Sequence, residues 1–137
     1  MNKSIITLMF VGIIAAALIT LTTIANSDLL AKDKIEGTDG NDILFGTPDD
    51  DTINTKDGND EAFGESGDDK IKTGKGDDNN FGGLGDDKMN AGQGNDFLQG
   101  REGADKFNCG SGRDTVEGFD ETEGDKATGN CEQFIGP

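Results

Sequence analysis

The sequence predicts an all-β solenoid of stacked parallel strands with two nine-residue units to each turn. Three observations carry that prediction. Residues 37–117 divide into nine consecutive nine-residue units without insertion or deletion, and a fixed short period describes units that bury apolar surface only by stacking on their neighbours. The sixth position of the unit is always Asp, at Asp42, Asp51, Asp60, Asp69, Asp78, Asp87, Asp96, Asp105 and Asp114. The fourth is Gly at Gly40, Gly58, Gly67, Gly76, Gly85, Gly94, Gly103 and Gly112, and fails once, at Asp49.

Within the unit, positions one to six read as a Gly-rich loop closed by Asp, and positions seven to nine as a short strand. Position eight is apolar at Leu44, Ile53, Ala62, Ile71, Met89, Leu98, Phe107 and Val116, with Asn80 the one polar exception. On a strand that position faces one way while seven and nine face the other, so position eight lines the inside.

Strands can face each other across a core only if two units make one turn, which places residues 18 apart on top of one another. The outer positions show this period. Phe45, Phe63 and Phe81 occupy position nine of the first, third and fifth units, whereas Asn54, Lys72, Asn90 and Asn108 occupy it in even units. Position seven follows suit, with Lys70, Lys88 and Lys106 all on even units. The two walls therefore differ outside. Parallel stacking puts like residues about 4.8 Å apart, which suits Phe and Asn ladders and penalises a row of lysines that acidic neighbours do not screen. The Phe row reads as a stabilising ladder, with an exposed docking strip as the alternative.

The flanks are of different character. Residues 1–27 read as an N-terminal signal peptide: Lys3 precedes an uncharged apolar run, residues 5–21, and small residues follow in Ala25-Asn26-Ser27. An uncleaved membrane anchor is the alternative, because the run approaches the span of a bilayer. Either reading places the rest outside the cytoplasm, in an extracellular or cell-surface location. Residues 28–36 form a polar lead-in without a structural signal. Residues 118–137 read as a C-terminal cap in which the register decays, with Glu121 where Gly belongs and Glu123 where Asp belongs. Cys109 and Cys131 are the only cysteines, and a lone pair in an exported chain reads as a disulfide that ties the cap over the open end of the stack.

Composition narrows the function. The chain has 137 residues, 22 Gly, 28 Asp plus Glu against 12 Lys plus Arg, and a formal net charge of −16. That charge repels nucleic acid and anionic membrane surfaces and favours cations. So little apolar residue for so much glycine cannot hold a fold unaided. Calcium takes six to eight oxygen ligands and accepts backbone carbonyls, which Gly-rich loops expose, and each closing Asp adds carboxylate. One loop offers too few ligands. Two loops stacked one turn apart offer enough, pairing Asp42 with Asp60, Asp51 with Asp69 and so on, for about seven inter-loop sites. No stretch fits the twelve-residue EF-hand loop.

The unit Gly82-Gly83-Leu84-Gly85-Asp86-Asp87-Lys88-Met89-Asn90 resembles the RTX, or haemolysin-type, nonapeptide G-G-x-G-x-D-x-U-x, and the other units align beneath it. The resemblance implies a parallel β-roll in which the position-six aspartates and carbonyls of the loop residues, the position-four glycines among them, bind Ca²⁺. Departures stand at position one, with Thr55, Thr73, Ala91 and Cys109, and at position two, with Lys56, Glu65 and Arg101. The second unit lacks the central Gly, which singles out the sites of Asp51. The expected function is that of a secreted calcium-binding protein that folds on binding several Ca²⁺ and has a structural role. The alternative is a calcium-dependent adhesive module with an extracellular or cell-surface partner. An enzyme is not expected: the chain has no His and no G-x-S-x-G elbow.

Overall fold

The computed structural model describes residues 33–136; the expected signal segment, residues 1–27, lies outside them. The described residues form β1 (Lys34–Glu36), β2 (Ile43–Phe45), β3 (Thr52–Asp57), β4 (Glu61–Ser66), β5 (Lys70–Lys75), β6 (Asn79–Leu84), β7 (Lys88–Gln93), β8 (Phe97–Glu102), β9 (Lys106–Ser111), β10 (Asp114–Glu117), β11 (Lys126–Thr128) and β12 (Cys131–Ile135). Odd strands build one parallel sheet in the order β1-β3-β5-β7-β9-β11, and even strands a second in the order β12-β10-β8-β6-β4-β2. The chain therefore alternates between two walls, as the period of 18 requires. Ile53 stands opposite Ile71, and Ile71 opposite Met89. The architecture is the parallel β-roll.

Position eight faces inward throughout the nine units. Leu44, Ile53, Ala62, Ile71, Met89, Leu98, Phe107 and Val116 are buried, and so is Asn80. The strands from β3 to β9 are six residues long, not three, because alternation continues into the next unit. Position one turns inward as a second core row, which makes its departures from Gly a pattern. On the odd sheet it is Thr55, Thr73, Ala91 and Cys109, all fully buried; on the even sheet it is Gly64, Gly82 and Gly100. A Cβ on Gly82 would strike the Asp87 carboxylate, so the even wall must stay bare where the odd wall carries a small side chain. Asn80 donates from Nδ2 to Thr73 Oγ1 at 3.2 Å, and Thr73 donates to the Ala91 carbonyl at 3.0 Å. Outside, the Phe45, Phe63 and Phe81 rings stack with centroids 4.8 Å apart and planes 6–7° from parallel, an arrangement worth about 1 kcal/mol per pair.

The stack is longer than residues 37–117. The lead-in ends in β1, which pairs with β3 and sets Ile35 opposite Ile53. Asp33 to Glu36 stand at positions six to nine in the register of the repeat. At the other end the register resumes after two extra residues. Asp125, not the residue at 123, takes the sixth position, and Ala127 stands opposite Phe107. Strand β12 then joins β10 with Phe134 opposite Val116, and Phe119 packs between Phe107 and Phe134 at 6.0 and 4.9 Å. The Cys109–Cys131 disulfide, with Cα atoms 5.3 Å apart, fastens this cap to the last complete unit. Closing a loop of this length stabilises by about 3 kcal/mol on the chain-entropy estimate.

Candidate metal centre

The loops stack along the two edges of the roll and bring the position-six aspartates together in the expected pairs. In each pair the N–H of the earlier Asp donates to Oδ1 of the later one. Asp42 donates to Asp60 at 2.9 Å and Asp60 to Asp78 at 2.8 Å. Asp78 donates to Asp96, and Asp96 to Asp114, both at 2.9 Å. On the other edge Asp51 donates to Asp69 at 2.6 Å, Asp69 to Asp87 at 2.8 Å and Asp87 to Asp105 at 2.9 Å. The structure adds two members that the strict register concealed. Asp33 donates to Asp51 at 3.1 Å, and Asp105 donates to Asp125 at 2.8 Å. Asp105 with Asp125 thus forms a further pair of stacked loops.

The second carboxylate oxygen divides these residues into two groups. In the first two loops it is satisfied locally: Asp42 Oδ2 accepts from the Thr38 N–H and hydroxyl at 2.6 and 3.0 Å, and Asp51 Oδ2 from those of Thr47 at the same distances. In Asp60, Asp69, Asp87, Asp96, Asp105 and Asp114, Oδ2 is buried without a partner. Asp78 keeps only a long contact, from the Gly74 N–H at 3.4 Å. The backbone accounts for the difference. From the third unit onward position two is left-handed at Lys56, Glu65, Gly83, Gly92, Arg101 and Gly110, with Gly74, the donor to Asp78, the exception, and Gly58 and each later position-four glycine are left-handed too. Neither position is left-handed in the first two loops. Asp49 can therefore stand where Gly stands elsewhere.

A buried carboxylate lacking a partner resists ionisation. Burial pushes Asp69, Asp87 and Asp96 up to about 7 and Asp105 up to about 6, against the lowering effect of the backbone N–H each accepts. It also raises Asp78 and Asp114. Stacked aspartates add repulsion, as Asp105 and Asp69 do to Asp87.

Sequence reasoning overlooked position five. It is Asn or Asp at Asn41, Asp50, Asn59, Asp68, Asp77, Asp86 and Asn95, and its side chain reaches the opposite way along the stack. Asn41 Oδ1 accepts from the Asn59 N–H at 2.9 Å, Asp50 from Asp68 at 2.9 Å and Asp68 from Asp86 at 3.0 Å. Positions five and six therefore clamp each loop to the next in both directions. The period itself held this signal, since only Ala104 and Arg113 break the run.

Among the described residues no group of three His, Cys, Asp or Glu side chains converges. A cation between two loops would draw carboxylate oxygen from position six and take its remaining ligands from backbone carbonyls. Calcium accepts that donor set of hard oxygens, and the unpartnered Oδ2 atoms are oxygens that such an ion would satisfy. The residues present fit the ion. The model of the RTX calcium-binding nonapeptide repeat matches the sequence in four copies, at residues 31–62, 45–79, 55–88 and 81–116. No curated protein and no solved structure matches the chain. With repeat matches running from residue 31 to residue 116 over a parallel roll, the chain belongs to the family of RTX calcium-binding nonapeptide repeat proteins.

Proposed function

We propose that the protein is exported and that its roll folds on taking up Ca²⁺ between stacked loops, so that its role is structural and not catalytic. The carrying observation is the row of buried Oδ2 atoms without partners on Asp60, Asp69, Asp87, Asp96, Asp105 and Asp114. Several such charges in so small a core would oppose folding, and a divalent ion beside each removes that cost. Asp78 and Asp125 complete the two rows, and carbonyls of the left-handed loops from Gly58 to Gly112 supply further oxygen. Residues 1–27 act as the export signal; the Cys109–Cys131 disulfide accords with an oxidising compartment outside the cytoplasm. Metal uptake here is folding free energy, because the unfolded chain has no formed site.

Calorimetry and far-UV circular dichroism on residues 28–137, titrated with Ca²⁺ and then Mg²⁺, test this reading. Several Ca²⁺ bound with a cooperative coil-to-β change and little response to Mg²⁺ are expected. A β-rich spectrum already complete in chelator at neutral pH would overturn folding on binding.

A further inference from the structure

Every lysine among the described residues lies on the strands of the odd sheet. Lys70, Lys88, Lys106 and Lys126 stand directly opposite one another across β5, β7, β9 and β11. All four are exposed, and none takes part in a salt bridge among the described residues. Like charges directly opposite on neighbouring strands destabilise a sheet. The even sheet has the reverse character. No lysine lies on its strands, whose one basic residue is Arg101 on β8, against five exposed or half-buried glutamates, Glu61, Glu65, Glu102, Glu117 and Glu132; Glu61 and Glu65 flank the stacked rings of Phe63 and its neighbours. Phe45 and Leu84 on that side are each nearly half exposed. One slab thus carries a cationic face and an aromatic, acidic face back to back, with the same strand spacing on both.

We propose that calcium-loaded rolls associate through these two faces, the lysine row of one copy lying on the Phe ladder and flanking glutamates of the next. Charge complementarity at a shared repeat selects a second copy as the occupant. The stacked rings present their edges outward, so the aliphatic stem of a lysine covers a ring while its ammonium group reaches a glutamate beside it. The faces point in opposite directions, which makes the contact heterologous and the assembly an open row. Six strands about 4.8 Å apart and six residues at about 3.3 Å give each face roughly 500 Å². Two such faces bury about 1,000 Å², at the low end for a specific interface. A single contact is therefore weak, and assembly sets in at high concentration. The inference rests on the proposed calcium loading, since copies at −16 repel one another until bound Ca²⁺ removes that charge.

Sedimentation velocity on the full chain in saturating Ca²⁺, with non-ionic detergent shielding residues 5–21, tests it across a wide concentration range. Wild type is expected to form a ladder of species that high salt dissolves. A Lys70→Glu/Lys88→Glu/Lys106→Glu variant and a Phe63→Ser/Phe81→Ser variant should each lose association about tenfold or more, which corresponds to about 1.4 kcal/mol. Mixed together, they should form pairs and nothing larger, because each retains the face that the other lacks. Should the Phe variant lose its calcium-induced β signal, Glu61→Lys/Glu65→Lys probes the same face. Undiminished association of the lysine variant would overturn the proposal in favour of a contact between Phe ladders. Failure of wild type to associate, together with lysine-dependent binding of a sulfated polysaccharide, would overturn it in favour of a polyanion. Circular dichroism on the same samples separates the two readings: a normal calcium response without association overturns the interface alone, and an absent response overturns calcium loading.

Discussion

The first two loops of the roll and the loops that follow end in the same aspartate but hold it in different ways. Thr38 and Thr47 satisfy Asp42 and Asp51 from within the loop, whereas the interior loops, that of Asp78 apart, turn left-handed at positions two and four and leave Oδ2 without a partner. A loop that satisfies its own carboxylate can form without metal. One that leaves it bare holds a cost that only a proton or a cation removes. The difference teaches that the first two loops meet their carboxylates' needs internally, so that the calcium dependence proposed above falls on the interior.

Acid gives the largest test of that contrast. Protonation neutralises the interior carboxyls, whose values in the folded chain lie near 6 for Asp105 and near 7 for Asp69, Asp87 and Asp96, above the unfolded value of about 3.9. A raised folded value means that the folded state holds more protons. The resulting stabilisation is full below about pH 4 and is lost as pH rises through 6 to 7. The metal-free chain should therefore show a β signal at about pH 5 that is absent at about pH 8, and calcium affinity should climb over the same interval as ions displace protons. Circular dichroism of calcium-free protein across that range measures it. Equal disorder at both pH values would show that the interior carboxylates do not govern the metal-free state.

Substitution at single loops sharpens the comparison. Asp87 joins two stacked pairs, with Asp69 and with Asp105, whereas Asp42 joins only the pair with Asp60. Asp87→Ala should reduce the calcium stoichiometry by about two and raise the calcium midpoint of folding about tenfold or more, while Asp42→Ala should lower the count by one at most. Calorimetry reads both, and equal losses would dissolve the distinction. A smaller contrast lies in the backbone. Gly76 has φ of +130°, and a Cβ there would lie 2.6 Å from the Gly58 carbonyl carbon; at Gly40 the nearest atom is Thr38 Oγ1, at 3.8 Å. Gly76→Ala should cost roughly 2–3 kcal/mol in chelator-titrated stability and Gly40→Ala less than about 0.5 kcal/mol.

Much of this was legible in the sequence because a fixed period exposes every residue with one constant task. The Asp at position six, the inward position eight and the two unlike walls all followed from that. Other features did not. Asp125 falls out of phase because the turn before it holds two extra residues. Asp33 stands in phase, but the five residues before it, Asp28-Leu29-Leu30-Ala31-Lys32, carry no glycine and so do not read as a loop of the repeat. The handedness of position two is invisible in residue identity, since Lys56, Glu65 and Arg101 adopt the same left-handed backbone as Gly83, Gly92 and Gly110, while Gly74 does not. Stacking on neighbours over-determines the three non-glycine residues, at a cost of order 1–3 kcal/mol each. Position one was seen as a departure from the repeat because its burial depends on the opposite wall, which no single unit reveals.

The smallest effect bears most directly on the contrast between loops. Thr47→Ala removes the hydroxyl that donates to Asp51 Oδ2 at 3.0 Å and leaves the shorter bond from the backbone N–H at 2.6 Å. The carboxylate stays partly satisfied by the backbone N–H, so the cost in the metal-free state should be about 1 kcal/mol, that of an ordinary hydrogen bond and below that of leaving a charged group bare. Calcium then matters more to the edited loop, and part of the loss should be recovered at saturating Ca²⁺. Hydrogen exchange at the Asp51 amide, which is bonded to Asp69 Oδ1, follows that loop directly. Faster exchange without calcium and near-normal protection with it would show that a threonine hydroxyl does at the end of the roll what the ion does inside. Unchanged exchange in both states would assign the self-sufficiency of the first two loops to their backbone and not to the threonines.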